Sequence, residues 1–254
     1  MRPIPSLLLP ATLALATLAA PHHAAAQALT SADAVIAKNI QARGGIKKLQ
    51  AVKTTHMTGR IEFTAIDGAA GPLTIDFARP ASIRTEFALP DEQNKQHRFV
   101  QAYDGKTAWA LTPPNSAAPL PPDLAKNVAA GADMDGPLVD YVHKGNRLTF
   151  LGVDTADGRP AYKIRVVTAD SLDDTYYIDT VSFLQTKWEG KRVSSGKVGT
   201  LRSVFRDYRA VDGIQFAFKV ESSIAGQPGV QRMTFDAVEI NVPLSSSRFT
   251  LPTR

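Results

Sequence analysis

Residues 214–221, Ile-Gln-Phe-Ala-Phe-Lys-Val-Glu, put large apolar side chains at every second position. A period of two predicts a β-strand, because successive side chains of a strand point to opposite faces. The apolar set from Ile214 to Val220 would share one face, and Lys219 and Glu221 would lie on the other. One apolar and one charged face predict an antiparallel sheet that is wetted on one side.

The same alternation recurs along most of the chain after residue 58. Four Asp-Gly pairs lie between the alternating runs, at 67–68, 104–105, 157–158 and 212–213. Asp-Gly supplies the positive φ angles that tight hairpins require, so each pair predicts a turn between two strands. The pattern therefore predicts a meander of about ten strands. A slip in the apolar phase near residues 237–238 predicts a bulge that curves the sheet.

A helix is predicted before the first strand. Residues 30–33, Thr-Ser-Ala-Asp, resemble a capping box, and apolar residues then recur at helical spacing from Val35 to Ile40. Gly44 and Gly45 end this run, and a short second turn is expected after them. An amphipathic helix of this kind needs an apolar surface to cover.

The middle of the chain departs from the strand pattern. Residues 112–122 contain five prolines, and proline cannot donate to a sheet ladder, so this stretch cannot be a central strand. Short helices are predicted at 123–130 and 135–141. The expected fold is mainly β: an unclosed antiparallel half-barrel with the N-terminal helix and the short mid-chain helices over its concave face.

Residues 1–28 have the layout of a cleaved signal peptide. Arg2 precedes a short apolar stretch, and small residues occupy the last and third-last positions before a cleavage site near Ala28. The apolar stretch is shorter than the roughly 20 residues that a membrane span needs. We therefore expect an exported, periplasmic protein whose residues 29–254 form a single domain.

Charge and cysteine content exclude several classes of function. The net charge of +5 falls to +4 without Arg2, and the basic residues are interleaved with acids, so no nucleic-acid partner is expected. The chain has no cysteine. Bacterial lipoproteins are anchored through a lipidated cysteine, so we expect a soluble protein without a lipid anchor, stabilised by its core and not by disulfides.

Catalytic and metal-binding motifs are incomplete. Gly105-Lys106-Thr107 resembles the end of a phosphate-binding loop but lacks its first glycine, and a hairpin explains it better. The acidic cluster at 133–140 lacks the glycine and glutamate of a calcium loop, and helix capping is the simpler interpretation. Ser194 and Lys197 have the spacing of some hydrolases but join two charged strands. We expect no enzyme activity, no metal and no cofactor.

The aromatic residues are the remaining candidates for a ligand-binding surface. Several fall on the inward face if the alternation holds, where they would either fill the core or line a cavity for acyl chains. Sequence alone leaves both alternatives open, because both require an apolar surface. The candidate ligand-binding residues are Phe63, Phe77, Phe87, Trp109, Trp188, Phe216 and Phe218.

Besides the predicted N-terminal helix, the chain contains five short motifs in this order: FARP at 77–80, YDGKTAW at 103–109, DGPLVDY at 135–141, FRDY at 205–208 and RFTLP at 248–252. Together they make the chain resemble the LolA-like family, the periplasmic carriers and sensors related to the lipoprotein-sorting chaperone. The resemblance covers essentially the whole chain after residue 28. It implies an unclosed barrel whose apolar concave cavity shelters acyl chains under covering helices.

The resemblance implies a non-catalytic carrier for a lipid or for the acyl chains of a lipoprotein, as in outer-membrane lipoprotein sorting. Inner- or outer-membrane delivery machinery is an implied partner, and the carrier is expected to be a monomer. The alternative is an envelope sensor or scaffold that uses the same fold to bind a protein partner. An enzyme of unrecognised type is a third alternative, which clustered ionisable residues in the groove with strongly shifted pKa values would favour.

Overall fold

The computed structural model describes residues 29–67, 69–194 and 197–252. The predicted signal peptide, residues 1–28, lies outside these ranges. Within them, no helix combines the length and the apolar character needed to cross a membrane.

Within the described residues, thirteen antiparallel strands form one sheet that is not closed into a barrel. The strands are β1 Thr54–Phe63, β2 Ala70–Ala78, β3 Ser82–Pro90, β4 Gln96–Tyr103, β5 Ala108–Leu111, β6 Ala118–Pro119, β7 Arg147–Ala156, β8 Arg159–Val167, β9 Asp173–Asp179, β10 Gln185–Ser194, β11 Lys197–Val211, β12 Ile214–Ile224 and β13 Gln231–Ile240. Their order is β6-β5-β4-β3-β2-β1-β13-β12-β11-β10-β9-β8-β7. The first and last strands therefore pair at the centre, while β6 and β7 form the two free edges.

Hairpin turns connect neighbouring strands as the Asp-Gly pairs predicted. Asp157 and Asp212 have φ angles of 52° and 49°, and the glycine after each also has a positive φ. In the β4–β5 turn, the Asp104 carboxylate accepts from the backbone N–H of Lys106 at 2.9 Å and of Thr107 at 2.7 Å. The Gly-Lys-Thr segment is thus a hairpin. Of the fourth pair, only Asp67 lies within the described residues.

A bulge interrupts the central β1–β13 pairing. Thr58 lies opposite Ala237 while the next residue, Gly59, lies opposite Phe235, so Asp236 is the extra residue of β13. A Cβ at Gly59 would meet the carbonyl oxygen of Thr234 at 2.1 Å, which only glycine avoids. The phase slip predicted near residues 237–238 is therefore confirmed, and it curves the sheet at its centre.

Helix α1, Ala32–Ala42, covers one end of the concave face. Ser31 caps it, since its Oγ accepts from the Ala34 N–H at 3.2 Å. Val35 and Ile36 of α1 pack against inward side chains of β8 and β9 such as Ile164. The short helix α2, Ile46–Ala51, follows the Gly-Gly turn and buries Leu49. The N-terminal helix and the turn after it are both confirmed.

The mid-chain region contains one helix where two were predicted. Helix α3, Pro122–Gly131, confirms the first. The second prediction, a helix over 135–141, is wrong: this stretch is a series of turns. Gly136 and Asp140 have positive φ angles of 78° and 53°, which cannot continue a right-handed helix.

The link from β6 to β7 crosses the open side of the sheet. These strands follow one another along the chain, yet they form opposite edges. Residues 120–146 must therefore span the molecule. Along the way α3 contacts β3, β4 and β5 on one side and β10 on the other, and the buried Leu138 packs against α1. This link is the central part of the roof over the concave face.

The convex face carries the C-terminal segment. Asp76 of β2 is fully buried and receives hydrogen bonds or ion pairs from His56 at 2.6 Å and from Arg248. Further along, the indole N–H of Trp109 donates to the Phe249 carbonyl at 2.7 Å. These contacts hold the segment across β2 and β5, on the side of the sheet away from the helices.

Candidate ligand cavity on the concave face

A cavity of about 1110 Å³ lies between the concave face of the sheet and the roof of residues 120–146. A second cavity of about 200 Å³ adjoins it near α2, and Arg43, Phe77 and Phe216 line both. Pockets for small molecules are usually about 300–1,000 Å³, so this space is large for a protein of this size. Curvature of the sheet and the crossing roof create it together.

Most of the floor at the centre of the cavity is apolar. One row runs across three strands, with Phe205 opposite Val220 and Val220 opposite Met233. Ile75 and Phe77 of β2 extend the apolar surface towards the smaller cavity. Partners in an antiparallel pair share a face, so the whole row points into the same space.

A polar row runs beside this apolar row. Tyr176 of β9 lies opposite Trp188 of β10, which lies opposite Ser203 of β11. Ser203 lies opposite Ser222, and Ser222 lies opposite Gln231 of β13. All five side chains line the cavity. They form one hydrogen-bonding row across five adjacent strands, and we call it the polar row.

An ion pair between Asp174 and Arg192 lines the cavity next to the polar row. The guanidinium of Arg192 binds both carboxylate oxygens of Asp174 at 2.8 Å each. The same guanidinium lies over the Trp188 ring, 4.6 Å from its centroid. A Cβ on Gly190 would meet the Asp174 carboxylate at 2.0 Å, so glycine is needed for this pair to lie across the strand. The pair is neutral as a unit and leaves little of either charge for a ligand.

Asp135 joins the roof to the sheet. Its carboxylate forms two hydrogen bonds of 2.7 Å with Arg79, and its carbonyl accepts from Arg43 at 2.9 Å. Burial lowers the pKa of Arg43, although Asp135 and Asp133 oppose this effect. Arginine keeps its proton in proteins even so. The roof is thus anchored at the point where it leaves α3.

The acidic cluster at 133–140 pairs with basic side chains. Asp133 binds Lys144 at 2.6 Å, and Asp140 binds His143 at 2.6 Å. Capping of a helix, the interpretation favoured from the sequence, does not apply because this stretch contains no helix. Within the described part of the chain, no group of three or more histidine and acidic side chains is placed to hold a metal ion.

Two tyrosines of the cavity remain neutral. Burial raises the pKa of Tyr176 and of Tyr208 well above the usual value for tyrosine. The Tyr208 hydroxyl donates to the Gln185 carbonyl at 2.7 Å. Both hydroxyls therefore act as hydrogen-bonding groups, and neither has the lowered pKa of an activated proton acceptor.

Three of the seven predicted aromatic residues line the cavity: Phe77, Trp188 and Phe216. Phe63 and Phe87 lie beside it, where their rings contact each other with centroids 5.7 Å apart. Both are partly buried and pack against the buried cluster that contains Ile61 and Leu73.

Two other predicted residues lie away from the ligand space. Phe218 is only 5% exposed and packs in the cluster around Ile61. The prediction that Trp109 lies on the inward face was wrong, because the structure places its side chain on the convex face. Its cross-strand neighbour Ala102 lies next to Gln101, which lines the cavity from the opposite side of the strand. The period of two was correct, but it did not tell which face of β5 points inward.

The polar row and the Asp174–Arg192 pair were missed from the sequence. A signal was present at Ser222, a hydroxyl in phase with the apolar Val220 and Ile224 of the same strand. A polar residue at an inward position marks either a buried hydrogen bond or a ligand contact. The partner, Ser203, is 19 residues away and only the strand register identifies it.

Solved structures with the same architecture define the fold. A domain from Vibrio parahaemolyticus, named for outer membrane lipoprotein sorting, aligns with a TM-score of 0.59 at 10% identity, covering 86% of this chain and 95% of that one. A LolA superfamily protein from Nitrosomonas europaea aligns with a TM-score of 0.55 at 14% identity, covering 87% of this chain and 98% of that one.

The fold is LolA-like. A DUF1329 family protein from Desulfovibrio piger has it too, with a TM-score of 0.54 at 8% identity over 87% of this chain and 98% of that one. No protein-family model matches the sequence. No curated protein matches it either. At such low identities, the LolA-like neighbours define the architecture, and the chemistry of the cavity must be argued from this chain's own residues.

Proposed function

We propose that this protein is a periplasmic carrier that binds the acyl chains of a lipid or lipoprotein in the concave cavity. The observation that supports this best is the cavity itself, which has a volume of about 1110 Å³ and lies between the sheet and the crossing roof. Its central floor, around Val220 and Met233, is apolar. Each methylene group kept from water contributes about 0.8 kcal/mol, so such a floor favours a long acyl chain.

Binding without covalent chemistry agrees with the groups that line the cavity. The carboxylates of Asp174 and Asp135 are held by Arg192 and Arg79. The tyrosine hydroxyls have raised pKa values. A nucleophile or general base needs the opposite arrangement, an activated group within reach of a proton acceptor. The proposal therefore assigns the cavity to transport and not to catalysis.

Native mass spectrometry of the mature protein purified from a bacterial periplasm tests the proposal. A bound lipid or acylated species should be retained and then identified after solvent extraction. Met233→Glu places a charge on the apolar floor and should abolish retention, because burying an unpaired carboxylate is costly. Thr234→Glu is the matched control, since Thr234 is the next residue of the same strand and is exposed on the other face.

Loss of the ligand in the first variant and its retention in the second would support the carrier function. Protein that leaves the periplasm without ligand and takes up neither phospholipid nor lipoprotein would contradict it. Export itself is tested by the mature N-terminus, which we expect close to Ala28.

A second candidate function is binding of a protein partner, as in a sensor or scaffold. The edge strand β7 favours it, because Leu151 and Val153 are 47% and 54% exposed there and the strand has a free side. An exposed edge can accept an added strand from a partner. If so, Leu151→Lys with Val153→Lys should remove a co-purifying protein while lipid retention stays unchanged.

A further inference from the structure

The polar row has unused hydrogen-bonding capacity. The indole N–H of Trp188 is buried next to the Tyr176 hydroxyl, which influences the pKa of that tyrosine, but it makes no hydrogen bond of ordinary geometry to any described residue. Ser203 and Ser222 share one hydrogen bond of 2.8 Å between their hydroxyls. In such a pair one hydroxyl donates to the other, and the accepting hydroxyl keeps its own proton free to donate.

The polar row lies between two apolar parts of the cavity lining. On one side it is flanked by the apolar row of Phe205, Val220 and Met233, and on the other by Leu201 opposite Ile224. A plain hydrocarbon crossing this floor would leave the spare donors of the row without partners, and each unpaired buried group costs about 1–3 kcal/mol. A ligand with a polar group between apolar portions would satisfy both surfaces.

The charge around the row indicates that this polar group is neutral. No member of the row carries a formal charge while Tyr176 remains protonated. The nearest cation, Arg192, is held at 2.8 Å by Asp174 and also donates to the Lys191 carbonyl. A phosphate or carboxylate placed here would meet no free counter-charge, and burying such a charge is unfavourable.

From these observations we infer that the polar row, Tyr176, Trp188, Ser203, Ser222 and Gln231, is a subsite for a neutral amide or ester linkage of an acylated ligand. The inference rests on the proposed carrier function and specifies its substrate class. The linkage oxygen accepts hydrogen bonds from the row, while its acyl chain lies on the apolar floor towards Phe77. Binding thus selects an amide- or ester-linked chain over a bare hydrocarbon of the same length.

Two ligands of equal chain length test this assignment: N-methylpalmitamide and hexadecane, each delivered from cyclodextrin and measured by displacement of an apolar fluorescent dye. The test variants are the double change Ser203→Ala with Ser222→Ala, and Gln231→Met. Removing both partners of the serine pair leaves no orphaned hydroxyl, so the fold should be retained. Ser223→Ala is the control, because Ser223 is the next residue of β12 and faces the opposite side.

We expect each lost hydrogen bond to weaken amide binding about three- to tenfold, with hexadecane binding unchanged or slightly tighter. The ratio of the two affinities is decisive, since it cancels any general change in the cavity. Equal weakening of both ligands, or no weakening of the amide, would overturn the subsite and leave the carrier function standing. Failure of the unmodified protein to bind either ligand would overturn both.

Discussion

The two tryptophans of this protein occupy opposite faces of the same sheet, and they differ in burial and in what their indole N–H groups contact. Trp109 on the convex face is 1% exposed, and its N–H is satisfied by the Phe249 carbonyl. Trp188 on the concave face lines a cavity, and its N–H makes no hydrogen bond of ordinary geometry to any described residue. Arginine lies over both rings, Arg84 at 5.6 Å and Arg192 at 4.6 Å.

This difference separates the part of the molecule that stabilises the fold from the part that is available to a ligand. On the convex face the C-terminal segment supplies the partners of Trp109 and Asp76, so a change there should cost stability. On the concave face the polar row has unused donors, so a change there should alter binding. The predictions below test this division, beginning with the largest effect.

Trp109→Ala should lower the free energy of unfolding by about 3–5 kcal/mol, because it opens a cavity under the C-terminal segment and orphans the Phe249 carbonyl. Trp188→Ala should cost clearly less, since that side chain is only half-buried beside an existing cavity. Urea denaturation measures both. An equal or larger loss for Trp188→Ala would break the division between the two faces.

Arg248→Met removes a cation that holds the buried Asp76. We expect urea denaturation to show a free energy of unfolding that is lower by about 1.5–3 kcal/mol, the usual range for a hydrogen bond to a charged group. Affinity of the folded protein for an acylated ligand should not change, because the contact lies on the convex face. A loss of ligand binding at constant fold would show that the two faces are coupled.

Gly190→Ala should displace the Asp174–Arg192 pair, since the new Cβ would meet the carboxylate at 2.0 Å. The free energy of unfolding should fall by about 1–3 kcal/mol, which is typical of overpacking. Ligand affinity should change as well. Gly131→Ala is the control, because its Cβ would have an ordinary contact of 3.9 Å with Ile83. Denaturation and dye displacement on both variants would distinguish local strain from a general effect of replacing glycine.

Arg206→Gln should have the smallest effect, about 0.2–1 kcal/mol, because its pair with Asp157 is largely exposed. The Arg206 guanidinium holds the pKa of Asp157 below its usual range. A lowered folded-state pKa stabilises the protein above the unfolded-state value of about 3.9, and this contribution disappears as the pH falls through the folded-state pKa. The difference in the free energy of unfolding between Arg206→Gln and the unmodified protein should therefore be present at neutral pH and vanish in strong acid.

The sequence predicted which residues form strands and turns better than it predicted which face of each strand points into the cavity. Alternation and Asp-Gly turns are local signals, so strands such as β12 and the hairpin at Asp212 followed directly from them. The position of Trp109 depends on which side of β5 meets the C-terminal segment, and no local pattern carries that information. The helix predicted over 135–141 failed because Gly136 and Asp140 adopt positive φ in a segment whose course is set by distant contacts.

The cavity was harder to predict for the same reason. The sequence named candidate aromatic residues, but whether a residue such as Phe77 lines the cavity or one such as Phe63 lies beside it depends on where the roof crosses the sheet. The polar row is assembled from five strands, and its members are brought together only by the register of four separate pairings. Sequence spacing alone indicated only Trp188, as an inward aromatic, and Ser222, as an inward hydroxyl, and it did not indicate that they belong to one row.

The central pairing of β1 with β13 has a consequence for how the chain acquires its structure. Strands β1 to β6 and strands β7 to β13 can each pair with neighbours along the chain, but the two halves of the sheet pair only when the last strand meets the first. Contacts between such distant segments form slowly, because a long loop must close before they can stabilise it. A chain emerging from synthesis would therefore expose the apolar face of its first half until β13 is available, and this interval is when it would depend most on protection from aggregation.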